Sequence, residues 1–421
     1  MELLYYILSN ILSKLITGLS GIFLARYFSK VDYGILASAF AFMNIASLFS
    51  KFGTTDFFLY RLSSLKDPRR QKVLFAGVFT LSLYSYLIFI PATIIPAYMF
   101  LPISQYPSAG DIHPIIPIYA KTFFDGLLPP LFIVVLQHRN RFGVLSLFGC
   151  VASLVVVLNV FAVYLFHLSL NGYLFFSLMT TAVFAAAWSL SASKLTGYNP
   201  LSGLDLRIRA VLDFAPEILR SSYHFFVSNI MAFVYVQSDI LMLSILKGPV
   251  ETARYSVVVS LLLASYLIPS SISSYFLPKL ITAFSERSGK TVSSILRQFA
   301  VFTLPVMFLI SPALFFFPNG ILNILFGGKY NDSGNILRLL SVVLFFHSTC
   351  FISGAVLTAA SRQKTRSNIQ IAGAVFNIAA NFIFIPFYGA EGAAFTTALT
   401  EVIIFGLYSY FSIKILRTGG A

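Results

Sequence analysis

Charge is scarce in this sequence. Only 10% of its 421 residues are charged, 29 basic and 15 acidic, whereas 57% are hydrophobic and 16% aromatic. Soluble domains carry about 25% charged and about 45–50% apolar residues. Too little polar surface exists here to cover one water-soluble core of this size, which excludes an ordinary soluble enzyme and a disordered chain. Cysteine is scarcer still: Cys150 and Cys350 both lie in apolar runs, so neither a disulfide framework nor a thiolate metal site is indicated. There is no Asp-x-Asp and no His-Glu-x-x-His, and His113, His138, His167, His224 and His347 are scattered through different segments, each read as packing or interfacial. Gly289-Lys290-Thr291 imitates the end of a phosphate loop, but Phe284 stands where the first glycine belongs. The opening Met1-Glu2-Leu3-Leu4 lacks the basic stretch of a cleavable signal peptide, so the first apolar segment is expected to remain as a spanning helix.

What is present is hydrocarbon in long runs. A helical crossing takes about 20 mostly apolar residues. That ruler predicts twelve segments, near 4–28, 33–58, 73–100, 113–136, 142–166, 172–193, 218–246, 255–278, 298–318, 336–360, 367–387 and 391–413. Proline falls inside several of them (Pro91, Pro96, Pro129, Pro130, Pro305, Pro312), where it kinks a helix that its neighbours or water must satisfy. Lys and Arg in alternate connections number 20 on one side and five on the other, which assigns both termini to the cytoplasm. Orientation thus absorbs most of the formal charge of +14, and a nucleic-acid partner has no remaining support.

The connection near 194–217, with Gly197, Asn199-Pro200, Gly203 and an amphipathic run, divides the chain into 1–197, a cytoplasmic linker 198–217, and 218–421. The two sets of six segments repeat. Asn10 precedes Val31 as Asn229 precedes Val250, by 21 residues in each case, and Asn171-Gly172 is echoed by Glu391-Gly392. An even number of spans per half makes these parallel repeats about an axis along the membrane normal, an arrangement found in transporters. The expected fold is an all-α polytopic membrane protein, twelve transmembrane helices in two six-helix lobes related by a parallel pseudo-two-fold.

Several stretches carry a likeness. Leu24-Ala25-Arg26-Tyr27-Phe28 with Asp32-Tyr33-Gly34, Phe52-Gly53, Ser238 to Leu243 with Tyr255-Ser256, Leu325 to Tyr330, and Asn377 through Ile385 to Ala394 occur in that order. Together they resemble polysaccharide-type flippases of the multidrug/oligosaccharidyl-lipid/polysaccharide exporter superfamily, over nearly the whole chain. The resemblance implies a MATE-like fold around a central cavity, and alternating access that moves lipid-linked oligosaccharide from the inner to the outer leaflet of the cell membrane.

A lipid-linked oligosaccharide carries phosphate or pyrophosphate between its isoprenoid tail and its sugars. Bare charge in hydrocarbon costs about 20 kcal/mol per ion by the idealised Born estimate, so its carrier needs a wet cationic groove. Asn10, Ser13, Lys14, Thr17 and Gly21 recur at helical spacing and give the first helix one polar, small-residue face. Lys14, near its middle, either lines a cavity or is a paired structural lysine. Arg26 either snorkels to the interface or, as the resemblance implies for its Leu-Ala-Arg motif, meets the anion with Lys51. A lysine at 51 binds phosphate as a point charge instead of a fork. Arg61 reads as a cytoplasmic anchor, and Lys121 and Asp125, four apart, should neutralise each other.

The second half offers acid where the first offers base. Asp239, Asn377, Asn381 and Thr397 fall at one depth in three segments, with Glu401 one turn beyond Thr397. Either they form a hard-oxygen site for a sodium ion, which the resemblance also implies, or the asparagines simply hydrogen-bond packed helices together. Proton coupling through Asp239 or Glu401 stays open beside sodium. No organic cofactor is expected, and the partners expected are lipid-linked oligosaccharide and membrane lipid. The chain is expected to be monomeric, with polysaccharide-assembly proteins as candidate associates. The rival readings are a cation-coupled drug exporter of the same superfamily, which should favour acids over Lys14 and Arg26 in its first half, and a membrane glycosyltransferase or polymerase, which would want acidic metal ligands or a large outer loop.

Overall fold

A computed structural model of the chain describes residues 2–65, 67–100, 115–199, 208–286 and 288–417, and the regular structure among them is entirely helical. The helices are α1 (Glu2–Tyr27), α2 (Lys30–Lys51), α3 (Thr54–Ser64), α4 (Pro68–Phe100), α5 (Ile115–Gly126), α6 (Pro129–His138), α7 (Phe142–Phe166), α8 (Leu170–Thr196), α9 (Ile208–Lys247), α10 (Pro249–Ser285), α11 (Gly289–Phe316), α12 (Pro318–Phe326), α13 (Gly334–Ala359) and α14 (Gln363–Arg417). Nine of the described helical stretches are long and apolar enough to cross a membrane. The chain is therefore an all-α, multi-span membrane protein.

Local chemistry explains where the helices depart from the expected segments. The segment predicted at 33–58 is two helices, because Phe52 (φ 43°) and Gly53 (φ 69°) turn left-handed between α2 and α3. The one at 113–136 is also two, since Pro129-Pro130 opens α6 and lacks the N–H groups that would continue α5. α9 starts at Ile208, inside the expected linker, of which 200–207 lie outside the described residues. α12 was not expected; Pro318 starts it and Gly327 (φ 68°) ends it, the usual Pro-first, Gly-last order. The 55-residue α14 breaks at Gly389, whose φ of 56° and ψ of −133° leave the helical region.

The chain separates into two compact units, Met1–Ser20 with Ile35–Gln237, and Gly21–Gly34 with Ser238–Ala421. The last turns of α1 and the start of α2 thus belong to the second unit. The first unit has an aromatic core in which Phe75 meets Phe58, Phe132 and Tyr198 at ring separations of 5.9, 5.4 and 5.3 Å. Three of its connections meet at one end. Gln71 donates to the Leu65 carbonyl at 2.7 Å and accepts from the Tyr198 hydroxyl at 3.0 Å, and Arg139 lies over the Tyr198 ring at 5.2 Å. These are connections that the Lys/Arg count places on one side of the membrane.

In the second unit, α10, α11, α13 and α14 pack on one another. Charges from the cation-poor connections gather at one end of it. Lys30 and Arg254 share Asp332 at 2.7 and 3.3 Å, and Arg254 also pairs with Glu251 at 2.6 Å. Lys329 donates to the carbonyls of Arg26 and Phe28 at 2.7 and 2.6 Å. Burial pulls the Lys329 pKa below the ordinary lysine value, Asp32 opposes that shift and Lys30 adds to it. Gly34 is held there by contact: a Cβ at this position would drive into the backbone carbonyl of Pro249. Because backbone cannot step aside as a side chain can, Gly34→Val is expected to lose about 3 kcal/mol, the upper end for overpacking. Thermal unfolding of the purified protein checks this, with Gly21→Val, which meets open space, as the control.

Candidate functional site

The densest buried polar group in the second unit is built around Asp239, near the end of α9. Its Oδ2 accepts from the Tyr255 hydroxyl of α10 at 2.5 Å and from the Thr397 hydroxyl of α14 at 2.7 Å, while Oδ1 accepts from the Asn381 amide at 2.6 Å. The same amide donates to Asn377 Oδ1 at 3.1 Å, and Thr396 donates to Asn381 Oδ1. Asn381 and Thr397 meet because they lie equally far before and after the break at Gly389, each about 12 Å along its limb. Glu251 secures that break: its Oε2 accepts the Ala390 N–H at 2.8 Å, which caps the second limb. A Cβ on Gly389 would meet that carboxylate.

Every hydrogen-bond partner of Asp239 among the described residues is neutral, and no described Lys, Arg or His forms an ion pair with it. A carboxylate 4% exposed is costly to keep charged on neutral donors alone. The site's oxygens (Asp239, Tyr255, Asn377, Asn381 and Thr397) are the hard donors that a sodium ion takes, and a proton on Asp239 would cancel the same charge. Asn377 Nδ2 is buried with no hydrogen-bond partner among the described residues, so the cluster is not saturated as it stands.

Asp239, Asn377, Asn381 and Thr397 are thus brought together, as their depths suggested. Glu401 is not with them. It is 2% exposed and its Oε1 lies 3.0 Å from His347 Nδ1, with the imidazole against the Tyr266 ring at 4.4 Å. This second acidic position is a Glu–His pair between α13 and α14.

The basic candidates are divided between units. Lys14 and Thr17 are exposed on α1 in the first unit, and Lys14 forms no ion pair or hydrogen bond with the described residues. Thr17 donates to the Ser13 carbonyl at 2.9 Å, and Ser13 donates to the Gly149 carbonyl of α7 at 3.0 Å, which anchors this face of α1. The side chain of Asn10 lies outside the described residues. Lys51 is half-buried, with its Cε beside Gly126 and its charge facing Asp125 and Asp56. Asp125 also takes Lys121 at 2.6 Å, as their spacing predicted. Arg26 is exposed in the second unit, its guanidinium laid along Gly327.

Residues 2–284 match the family model described as polysaccharide biosynthesis protein. The chain belongs to the polysaccharide biosynthesis protein family. Among relatives of this family member is a Shigella flexneri protein named for O-antigen transport, 24% identical over 394 residues, which covers 90% of each chain. Another is Agl15 of Haloferax volcanii, named as a flippase of low-salt glycan biosynthesis, 22% identical over 241 residues, or 56% of this chain and 48% of the relative. Among solved structures, the lipid II flippase MurJ in an inward closed conformation is similar at a TM-score of 0.75 and 16% identity, over 97% of this chain and 87% of that one. An inward-facing multidrug resistance MATE family transporter is similar at 0.73 and 15%, over 97% and 95%. The polysaccharide biosynthesis protein thus has a MATE- and MurJ-like fold, and the proteins it resembles are transporters and flippases, not enzymes.

Sequence reasoning about this family member missed two participants. Tyr255 stands out in the sequence only through its likeness to the family, because an aromatic residue in a spanning segment reads as packing. Its place six residues inside α10 from Pro249, level with the end of α9 that bears Asp239, was the available signal. His347 reads as packing or interfacial, and nothing in the spacing ties it to Glu401.

Proposed function

We propose that the chain is a flippase that carries oligosaccharide linked through phosphate or pyrophosphate to an isoprenoid from the inner to the outer leaflet by alternating access. Its twelve spans are six in 1–197 and six in 218–421, with both termini in the cytoplasm of a multi-pass cell-membrane protein. The observation that carries this reading is Lys14, an exposed cation at the middle of an apolar helix with no acid paired to it among the described residues. A bare ammonium at that depth is expensive in acyl chains and useful in a wet groove that receives an anion. Family membership and the names of the relatives support this class of cargo. Lys14 and Lys51 meet the phosphate, Asn10 and Thr17 line the same face, and Arg26 meets the anion towards the outer end.

The driving force is the membrane potential, a coupled cation or both. An inside-negative potential of 100 mV favours outward movement of each negative charge by about 2.3 kcal/mol. Asp239 with Tyr255, Asn377, Asn381 and Thr397 takes the coupled ion, sodium or a proton, and Glu401 with His347 is the alternative proton site. Liposomes that hold the purified protein and a fluorescent polyprenyl-diphosphate oligosaccharide test the proposal. The expected result is time-dependent protection of the fluorophore from an outside quencher or its loss, according to the starting leaflet, with no movement of ethidium. Movement of ethidium without movement of the lipid would replace this reading with that of a drug exporter.

A further inference from the structure

The first unit contains a cavity of about 740 Å³ that plays no part in the reading above. It lies where the connection from α3 to α4 passes Tyr198 and Ile218, and Arg61, Arg69, Arg70 and Lys72 stand around it. Arg69 and Lys72 are exposed and form no ion pair with the described residues. Arg70 reaches Asp67 only at 3.8 Å, with both side chains largely in solvent. The other carboxylate oxygen of Asp67 accepts the Arg69 N–H at 2.9 Å at the start of α4.

The rest of the wall is mostly apolar, with Thr80 and Asn199 as its polar members. Phe57, Phe75 and Tyr198 belong to the buried aromatic core, which gives the cavity a fixed floor. Val73, directly after Lys72, is 73% exposed, so an apolar exit lies beside the cationic rim. A site for a free anion needs no such exit, and a site for a plain hydrocarbon needs no such rim. Cations together at the end of a long helix and apolar surface running off one side suit an amphiphile whose head is a phosphate. The Lys/Arg count places this end at the cytoplasmic leaflet.

We propose that this cavity binds the phosphate or diphosphate headgroup of a lipid, with the chain leaving past Val73. Arg69, Arg70 and Lys72 hold the head, and Phe57 and Val73 contact the first part of the chain. Binding here is separate from transport, so the site stands even if the chain moves no lipid. The test uses the full-length protein in phosphatidylcholine nanodiscs, a benzophenone-bearing farnesyl diphosphate as the probe, and peptide mapping of the crosslink. Label is expected within 57–76, displaced by unlabelled farnesyl diphosphate but not by the same concentration of inorganic pyrophosphate. The combined variant Arg69→Ala, Arg70→Ala, Lys72→Ala should lower labelling more than about tenfold, and Lys72→Gln alone about fivefold. Lys290→Ala with Arg297→Ala, exposed cations of the second unit, should leave it unchanged. Phosphatidylglycerol added to the disc separates the two sources: competition assigns the site to bulk phospholipid, and its absence to isoprenoid lipid. Label found only outside 57–76, label indifferent to the substitutions, or equal displacement by pyrophosphate would overturn the proposal.

Discussion

Asp239→Asn is expected to lower cation-driven flipping by about 100-fold, near the upper range of a coupling free energy between sites, while leaving the protein folded. Asparagine keeps the shape and one acceptor oxygen, so Tyr255, Thr397 and Asn381 retain part of their hydrogen bonding. What it removes is the charge that the coupled ion must balance. Asp239→Ala should behave differently. It takes away the acceptor shared by three buried donors. The Asn381 amide keeps Asn377 Oδ1 and the Thr397 hydroxyl keeps the Ala393 carbonyl, so the Tyr255 hydroxyl carries most of the penalty, about 1–3 kcal/mol. Thermal unfolding should therefore separate the two variants where transport does not. Flipping measured against a sodium gradient and a pH gradient in turn names the ion: the wild type should respond to one of them, and Asp239→Asn to neither.

Lys14→Ala is expected to weaken capture of the lipid diphosphate by about 10- to 100-fold, the worth of one hydrogen bond to a charged group. The residue is exposed and bonds to nothing described, so its loss should not disturb α1, which is anchored by Ser13 on Gly149. Lys14→Arg keeps the charge and should retain at least part of the activity. Concentration dependence of flipping is the check: a raised half-saturation with little change in maximal rate is the signature of lost substrate contact. Equal loss in Lys14→Arg and Lys14→Ala would point to packing in place of charge.

The polar cluster was legible in the sequence because its members break long apolar runs. Asp239, Asn377, Asn381 and Thr397 are polar groups deep inside segments of hydrocarbon, and only a shared interior makes that tolerable. Depth counted at 1.5 Å per residue then aligned them across the turn at Gly389. Tyr255 and His347 were not legible as partners, since each has an apolar body that packs anywhere and a polar tip whose target is set by rotation of another helix. The ionic end of the second unit was hidden for a different reason. Lys30, Glu251, Arg254 and Asp332 fall between the segments expected from the sequence, where charge reads as solvated, and nothing in one sequence reports that these stretches converge. Helix ends were mixed. Pro318 with Gly327 announced α12 but lay in a run short enough to pass for a loop, and the left-handed Phe52 gave no signal beyond the glycine that follows it.

The central claim is that water reaches the middle of α1, where a phosphate must pass. A single cysteine at position 14, in a background with Cys150 and Cys350 replaced by alanine, tests it most directly through its reaction with a membrane-impermeant anionic thiol reagent. The account predicts rapid labelling, slowed by polyprenyl-diphosphate oligosaccharide, while a cysteine in place of Phe161, 62% exposed on the apolar α7, stays inert. Position 14 as inert as position 161 would place Lys14 among acyl chains and contradict it.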